Sequence, residues 1–199
     1  MVFAHWVLLV TVVIMLYWLV SRVVPKVTST NKGYFPFYRS AYIQTEEELE
    51  ADVKAVQAAS DYRSISDIEF FEKTDIDIVP VFHQVVPEAN RASMYWTIHN
   101  PLVHSMILGT KLYYNRARPY QIANVNTLHS RSANTPSYPS GHAVQAFALA
   151  KRLTSLFPEK ATQVNDLAEK VADIRKIGGV HYPTDKEFAR RLVDKMFWL

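Results

Sequence analysis

Two apolar patterns divide the chain. From Val2 to Val20 the sequence VFAHWVLLVTVVIMLYWLV is apolar almost without a break and carries no formal charge apart from a protonated His5. Beyond residue 44 the apolar residues recur three and four apart instead, the spacing of a helix with one buried face. TEEELEADVKAVQAAS sets Leu49, Val53 and Val56 on such a face, with Thr45 and Glu48 at capping-box spacing ahead of it. SDIEFF offers a second box with Ser66 and Glu69, and Pro80 breaks the stretch DIDIVPVFHQVV. A longer helical region runs from about Glu88 to Tyr114, kinked or divided at Pro101. Residues 141–156, 160–177 and 184–198 predict three more helices. No run alternates with the period of two that a half-buried strand needs. The expected fold is all-α, a helical bundle over residues 45–199. Residues 22–44, with Pro25, Pro36 and aperiodic Ser, Thr and aromatic residues, read as a linker that wraps onto it.

At 1.5 Å per residue the apolar run reaches roughly 28 Å, about the thickness of a bilayer hydrocarbon core. Trp6, Tyr17 and Trp18 lie toward its ends, where amphipathic rings favour the membrane interface. A cleaved signal peptide needs a basic start and small residues before the cleavage site, and MVFAH and WLVSRVV supply neither. A buried core helix is the other alternative. Residues 1–21 therefore read as an uncleaved, single-pass membrane anchor. Arg22, Lys26 and Lys32 follow the run and no Lys or Arg precedes it, which favours a cytoplasmic C-terminal domain, although one short flank leaves the side open.

Composition narrows the classes. A chain of 199 residues, 49% hydrophobic, is one domain with room for an appendage and a sizeable core. A net charge of +3 falls short of the dense Lys/Arg clusters of a nucleic-acid binder, and suits a local pocket for an anion. Cysteine is absent, which excludes disulfides and thiolate metal sites.

Three short stretches carry chemistry. In SYPSGHAVQAFALAKRL a helix opens on Pro139, Ser140, Gly141 and His142. The first backbone N–H groups of a helix have no intrahelical partner, and the dipole favours negative charge there. Gly141 lets an anion approach closely, Ser140 adds a hydroxyl, and His142 can deliver a proton beside it. Upstream, KLYYNRARP places Lys111 late on a helix and Arg118 in the extended conformation that Pro119 imposes, so the two cations can converge. Arg116 reads as a cation complementing the helix C-terminus. Downstream, IRKIGGVHYPTD carries Arg175, a Gly178–Gly179 turn and His181. Thr184 and Glu187 predict a capping box that puts Asp185 in the next first turn, where it can accept Nδ1–H from His181. Each stretch alone also has a plain reading: Ser140 a cap, His142 and His181 solvated, Asp185 a complement to a helix dipole.

Together the order Lys111-x6-Arg118-Pro119, Pro139-Ser140-Gly141-His142, Arg175-x5-His181-x3-Asp185 resembles the tripartite signature of the phosphatidic acid phosphatase type 2 superfamily. That superfamily includes lipid phosphate phosphatases, class A non-specific acid phosphatases and vanadium-dependent haloperoxidases; a domain this short is nearest the acid phosphatases. One departure stands out: the third motif usually opens with Ser-Arg, and here Ile174 precedes Arg175. The resemblance implies a phosphatase in which His181 attacks phosphorus, Asp185 orients it, and His142 protonates the leaving group and then activates water. Lys111, Arg118, Ser140, Gly141 and Arg175 would hold the phosphate oxygens. Phosphate and Asp185 are expected to favour charge on both histidines, with coupled titrations and an acidic to neutral optimum.

No metal or cofactor is expected. His99 and His104 do not share a helix face, no His-Glu-x-x-His run occurs, and three cations beside the pocket would repel a divalent ion. His83, His99, His104 and His129 read as packing or surface residues. The alternatives to a phosphomonoesterase are a vanadate-dependent haloperoxidase and a non-catalytic phosphoanion-binding membrane protein. Charged segments such as EKATQVNDLAEKVADIRK cannot cross a bilayer, which favours a water-facing site and soluble phosphomonoesters. The anchor keeps lipid phosphates and diphosphates as substrates to be tested.

Overall fold

The computed structural model describes residues 33–34 and 44–196. The apolar run of residues 2–20 and most of the 22–44 linker lie outside them. The described chain is helical, with a single isolated antiparallel bridge between Gly33 and Arg116. In order, α1 is Glu46–Asp61, α2 Ile65–Thr74, α3 Val79–Val85, α4 Arg91–Ile98, α5 Pro101–Tyr114, α6 Pro119–Ile122, α7 Gly141–Leu156, α8 Ala161–Ile177 and α9 Pro183–Asp194. Among the described residues no helix is long and apolar enough to cross a membrane.

Helix α7 is the hub. Its GHAVQAFALAKRLTSL sequence buries Ala143, Val144, Ala146, Phe147, Ala148, Leu149, Ala150 and Leu153, so more than one face is apolar and α4, α8 and α9 all pack on it. The alanines let neighbouring helices approach, and Val164, Ala168, Val171 and Ala172 of α8 close the contact in the same core. A second, smaller cluster joins Phe71, Ile174 and Val180 under the C-terminal end of α8.

Several boundaries differ from the sequence expectation. The region expected from about Glu88 starts only at Arg91, while Pro101 divides it into two helices as expected, with Asn100 capping α5 through Leu102 N. Pro80 opens α3 instead of breaking it, because a first-turn proline lacks only an N–H that would have no partner. The second capping box is Ser64 with Asp67, not Ser66 with Glu69. The box expected of Thr184 and Glu187 is replaced by Tyr182 at the N-cap and Asp185 at the third position, since Pro183 starts α9. That helix ends at Asp194, short of residue 198. Helix α5 stops at Asn115, whose left-handed backbone (φ 45°, ψ 37°) frees the chain before Pro119 is reached. Arg118 is extended (φ −78°, ψ 158°), as the following proline requires.

Candidate active site

The three stretches meet at one cavity of about 330 Å³, walled in part by Lys111, Arg118, Gly141, His142 and His181. His104, Ile107 and Leu108 of α5 and Gln145 of α7 also line it, so His104 is a surface residue, as expected, at the border of the cavity. Ser140, Arg175 and Asp185 are buried and are not among the residues that line it. Among the described residues no group of three or more His, Asp or Glu side chains is disposed to hold a metal ion.

His181 is buried, and its Nδ1 donates to Asp185 Oδ2 at 2.9 Å. A carboxylate can only accept, so the proton sits on Nδ1 and Nε2 carries the lone pair. Arg118 Nη1 donates to that Nε2 at 3.3 Å and to Val180 O at 2.9 Å, while its Nε donates to Thr135 O at 2.8 Å. Burial, then the Arg118 charge, push His181 well below its ordinary range, against the pull of Asp185. Asp185 is held below the usual carboxylate range despite its burial, by Arg116 and His181. Lys111 donates to Pro136 O and, at 3.4 Å, Ser137 O; burial and Arg118 lower its pKa well below normal.

His142 is held the other way round. Its Nε2 meets the carbonyl oxygen of Asp75 at 2.9 Å, and a carbonyl can only accept, so Nε2 carries the proton and Nδ1 is the exchangeable site. Burial and the Arg175 charge push it down to about 3. The protein's own groups thus keep both histidines neutral, because burial and the neighbouring cations outweigh the carboxylates.

At the α7 N-terminus Ser140 Oγ accepts from Ala143 N at 3.4 Å, a conventional cap, and Ser140 N donates to Asp185 O at 3.3 Å, joining the starts of α7 and α9. A Cβ on Gly141 would meet only Ile107 Cγ2, at 3.8 Å, so packing does not demand glycine there. Its bare backbone faces the cavity instead.

Arg175 is fixed by a residue the motif reading missed. Its Nη2 donates to Asp75 Oδ1 at 2.7 Å and to Ser130 Oγ at 3.1 Å, and its guanidinium lies 4.1 Å from the Phe71 ring centre. Nε and Nη1 are buried with no hydrogen-bond partner among the described residues, an arrangement that an anion's oxygens would satisfy. Asp75 also accepts from Ser130 Oγ, Ser132 Oγ and Arg131 N. Ile174 packs with Phe71 and Val180, so the hydroxyls around Arg175 come from Ser130 and Ser132, not from its neighbour in the chain. Nothing in the spacing of Asp75, which lies 100 residues before Arg175, could have signalled the pair. Arg116 was also misjudged. It is buried and bonded to two carboxylates, Asp52 and Asp185.

Among the described residues, a helical fold brings two histidines and several buried cations to one cavity, a setting suited to an anion. Residues 94–190 match the model of the PAP2 superfamily. The match takes in α5 to α8 and most of α4 and α9; Asp52 and Asp75 lie outside it. Non-specific acid phosphatases of Salmonella typhi and Salmonella typhimurium (strain LT2) are each 33% identical over 84 residues, 40% of this chain. The matched part is about a third (34%) of the length of those curated relatives. A crystal structure described as the first transmembrane PAP2 type phosphatidylglycerolphosphate phosphatase, from Bacillus subtilis, aligns over 92% of this chain and 89% of its own. Its TM-score is 0.56 at 16% identity, so the likeness is one of fold.

Proposed function

We propose that the chain is a metal-independent phosphatase that cleaves phosphomonoesters through a phosphohistidine on His181. The observation that carries this reading is the His181 Nδ1–Asp185 contact, which leaves the Nε2 lone pair at a cavity lined by cations. The match of residues 94–190 to the PAP2 superfamily and the likeness to acid phosphatases support it. An incoming phosphoryl group draws Arg118 onto its oxygens and frees Nε2 to attack phosphorus. Lys111, Arg118, the unpartnered N–H groups of Arg175 and the Gly141 backbone hold the equatorial oxygens, and Ser140 shapes the helix end that presents them. The dianion's charge raises the pKa of His142, so that Nδ1 arrives protonated, donates to the leaving oxygen, and then takes a proton from the attacking water. Asp185 keeps the tautomer of His181 throughout.

Residues 2–20 anchor the domain in a membrane in this reading, with residues 22–44 as the connection and 45–199 as the catalytic domain. Soluble monoesters are the favoured substrates, since charged segments such as EKATQVNDLAEKVADIRK suit water and not a bilayer. Phosphate release from an aryl phosphate in excess EDTA tests the proposal. Wild-type turnover should persist, fall with vanadate and vanish in His181→Ala. Activity lost to chelation, or retained in the variant, would overturn it.

A further inference from the structure

Arg116 occupies a position that the three-part signature leaves unassigned, yet it is the most heavily bonded cation near the site. Nη1 donates to Asp185 Oδ1 at 2.7 Å and Thr184 Oγ1 at 2.8 Å. Nη2 donates to Asp52 Oδ2 at 2.9 Å and also to Gln44 Oε1. The guanidinium lies 3.8 Å from the centre of the Tyr182 ring. Its backbone is pinned as well, bridging Gly33 on one side and accepting from Ser137 N at 2.9 Å. Thr184 Oγ1 closes the ring by donating to Asp52. The two oxygens of Asp185 are therefore divided: Oδ1 belongs to Arg116, and Oδ2 to His181 Nδ1 and Tyr182 N.

We propose that Arg116 is a positioning residue for the reaction, fixing the Asp185 carboxylate so that Oδ2 stays on His181 and keeping enough of its charge occupied that His181 remains an unprotonated nucleophile. This rests on the reading of His181 as the attacking group. Without the guanidinium, two buried carboxylates, Asp52 and Asp185, would have no cation between them. The nearest group able to take up a proton in response is His181, and an imidazolium cannot attack phosphorus. The other charged groups facing His181 are Arg118 and Lys111, with His142 across the cavity, and these remain in place when Arg116 is changed. Asp52 and Gln44 lie outside the matched segment, so the N-terminal part of the chain also supports the nucleophile through this guanidinium.

The test is a histidine-ring NMR titration of the full chain in detergent, for wild type, Arg116→Ala and Arg116→Lys, with phosphate release assayed on the same samples. In Arg116→Ala the His181 titration midpoint should rise by about one pH unit or more, and kcat should fall at least tenfold with KM little changed. Arg116→Lys keeps the charge but not the fork. Its His181 should titrate near the wild-type midpoint, while the Nδ1–H resonance moves upfield and kcat drops. If Arg116→Ala does not fold, the lysine variant alone decides, through that resonance. A folded variant with wild-type midpoint, Nδ1–H resonance and kcat overturns the role. Wild-type protein that titrates as described but releases no phosphate overturns the phosphatase reading, and leaves the positioning of Asp185 standing.

Discussion

His181 donates through Nδ1 and His142 through Nε2, so in the proposed mechanism the nitrogens left for chemistry are unlike: Nε2 on the nucleophile and Nδ1 on the acid. This division makes His142 dispensable when the leaving group needs no proton. His142→Ala should slow hydrolysis of alkyl phosphates by about 10²–10⁴-fold and that of a nitrophenyl phosphate far less, a contrast read from kcat/KM on the two esters. An equal loss on both would remove the acid from the assignment. Lys111, Arg118, His142 and His181 were all legible in the sequence as members of short motifs, and the structure brings these four to one cavity wall. Asp75 and the bonding of Arg116 were not. Their partners lie 100 and 69 residues away, and a long-range ion pair leaves no periodicity behind.

At the scale of elements, α7 starts and ends where the apolar spacing put it, and α8 within a residue of it, because a buried face repeated over four turns is hard to misread. Caps were harder. Ser64 and Ser66 each stand three residues before an acid, and only the start of α2 at Ile65 selects the first. Ser64→Ala should therefore cost about 1 kcal/mol in urea unfolding, and Ser66→Ala only a few tenths. The α8–α9 turn carries a second constraint. A Cβ on Gly178 would fall 2.2 Å from Phe71 Cε2, on the ring that underlies Arg175. Gly178→Ala should destabilise the fold by about 1–3 kcal/mol and lower activity as the ring is forced from under the guanidinium. Both effects are visible by comparing denaturant midpoints with turnover. Unchanged turnover in a folded variant would separate Phe71 from the site.

Across the whole molecule, burial of so many ionisable groups ties stability to pH. His142 is pushed down to about 3 and His181 well below its ordinary range, whereas the unfolded chain titrates its histidines near the usual 6.5. The unfolded state then binds more protons over this window. The histidine contribution is complete above about pH 6.5 and is lost as pH falls through it toward 3. Asp75 and Asp185, held below 3.8, add a further loss once the unfolded carboxylates begin to protonate. Melting temperature should fall steadily on acidification from pH 7. Inorganic phosphate at 100 times its Kd should restore about 2.7 kcal/mol, roughly 5–10 °C for a chain of this size; no shift with phosphate would argue against an anion site. The tie from α2 to the rest of the site has one more consequence. Asp75 serves Arg175 with its side chain and His142 with its main-chain oxygen. Any amino acid placed there supplies the second contact, so alanine scanning, or a comparison of sequences, would register only half of what the position does. The half that orients His142 is written in the path of the backbone, where an insertion in the turn after α2 would erase it and a substitution would not.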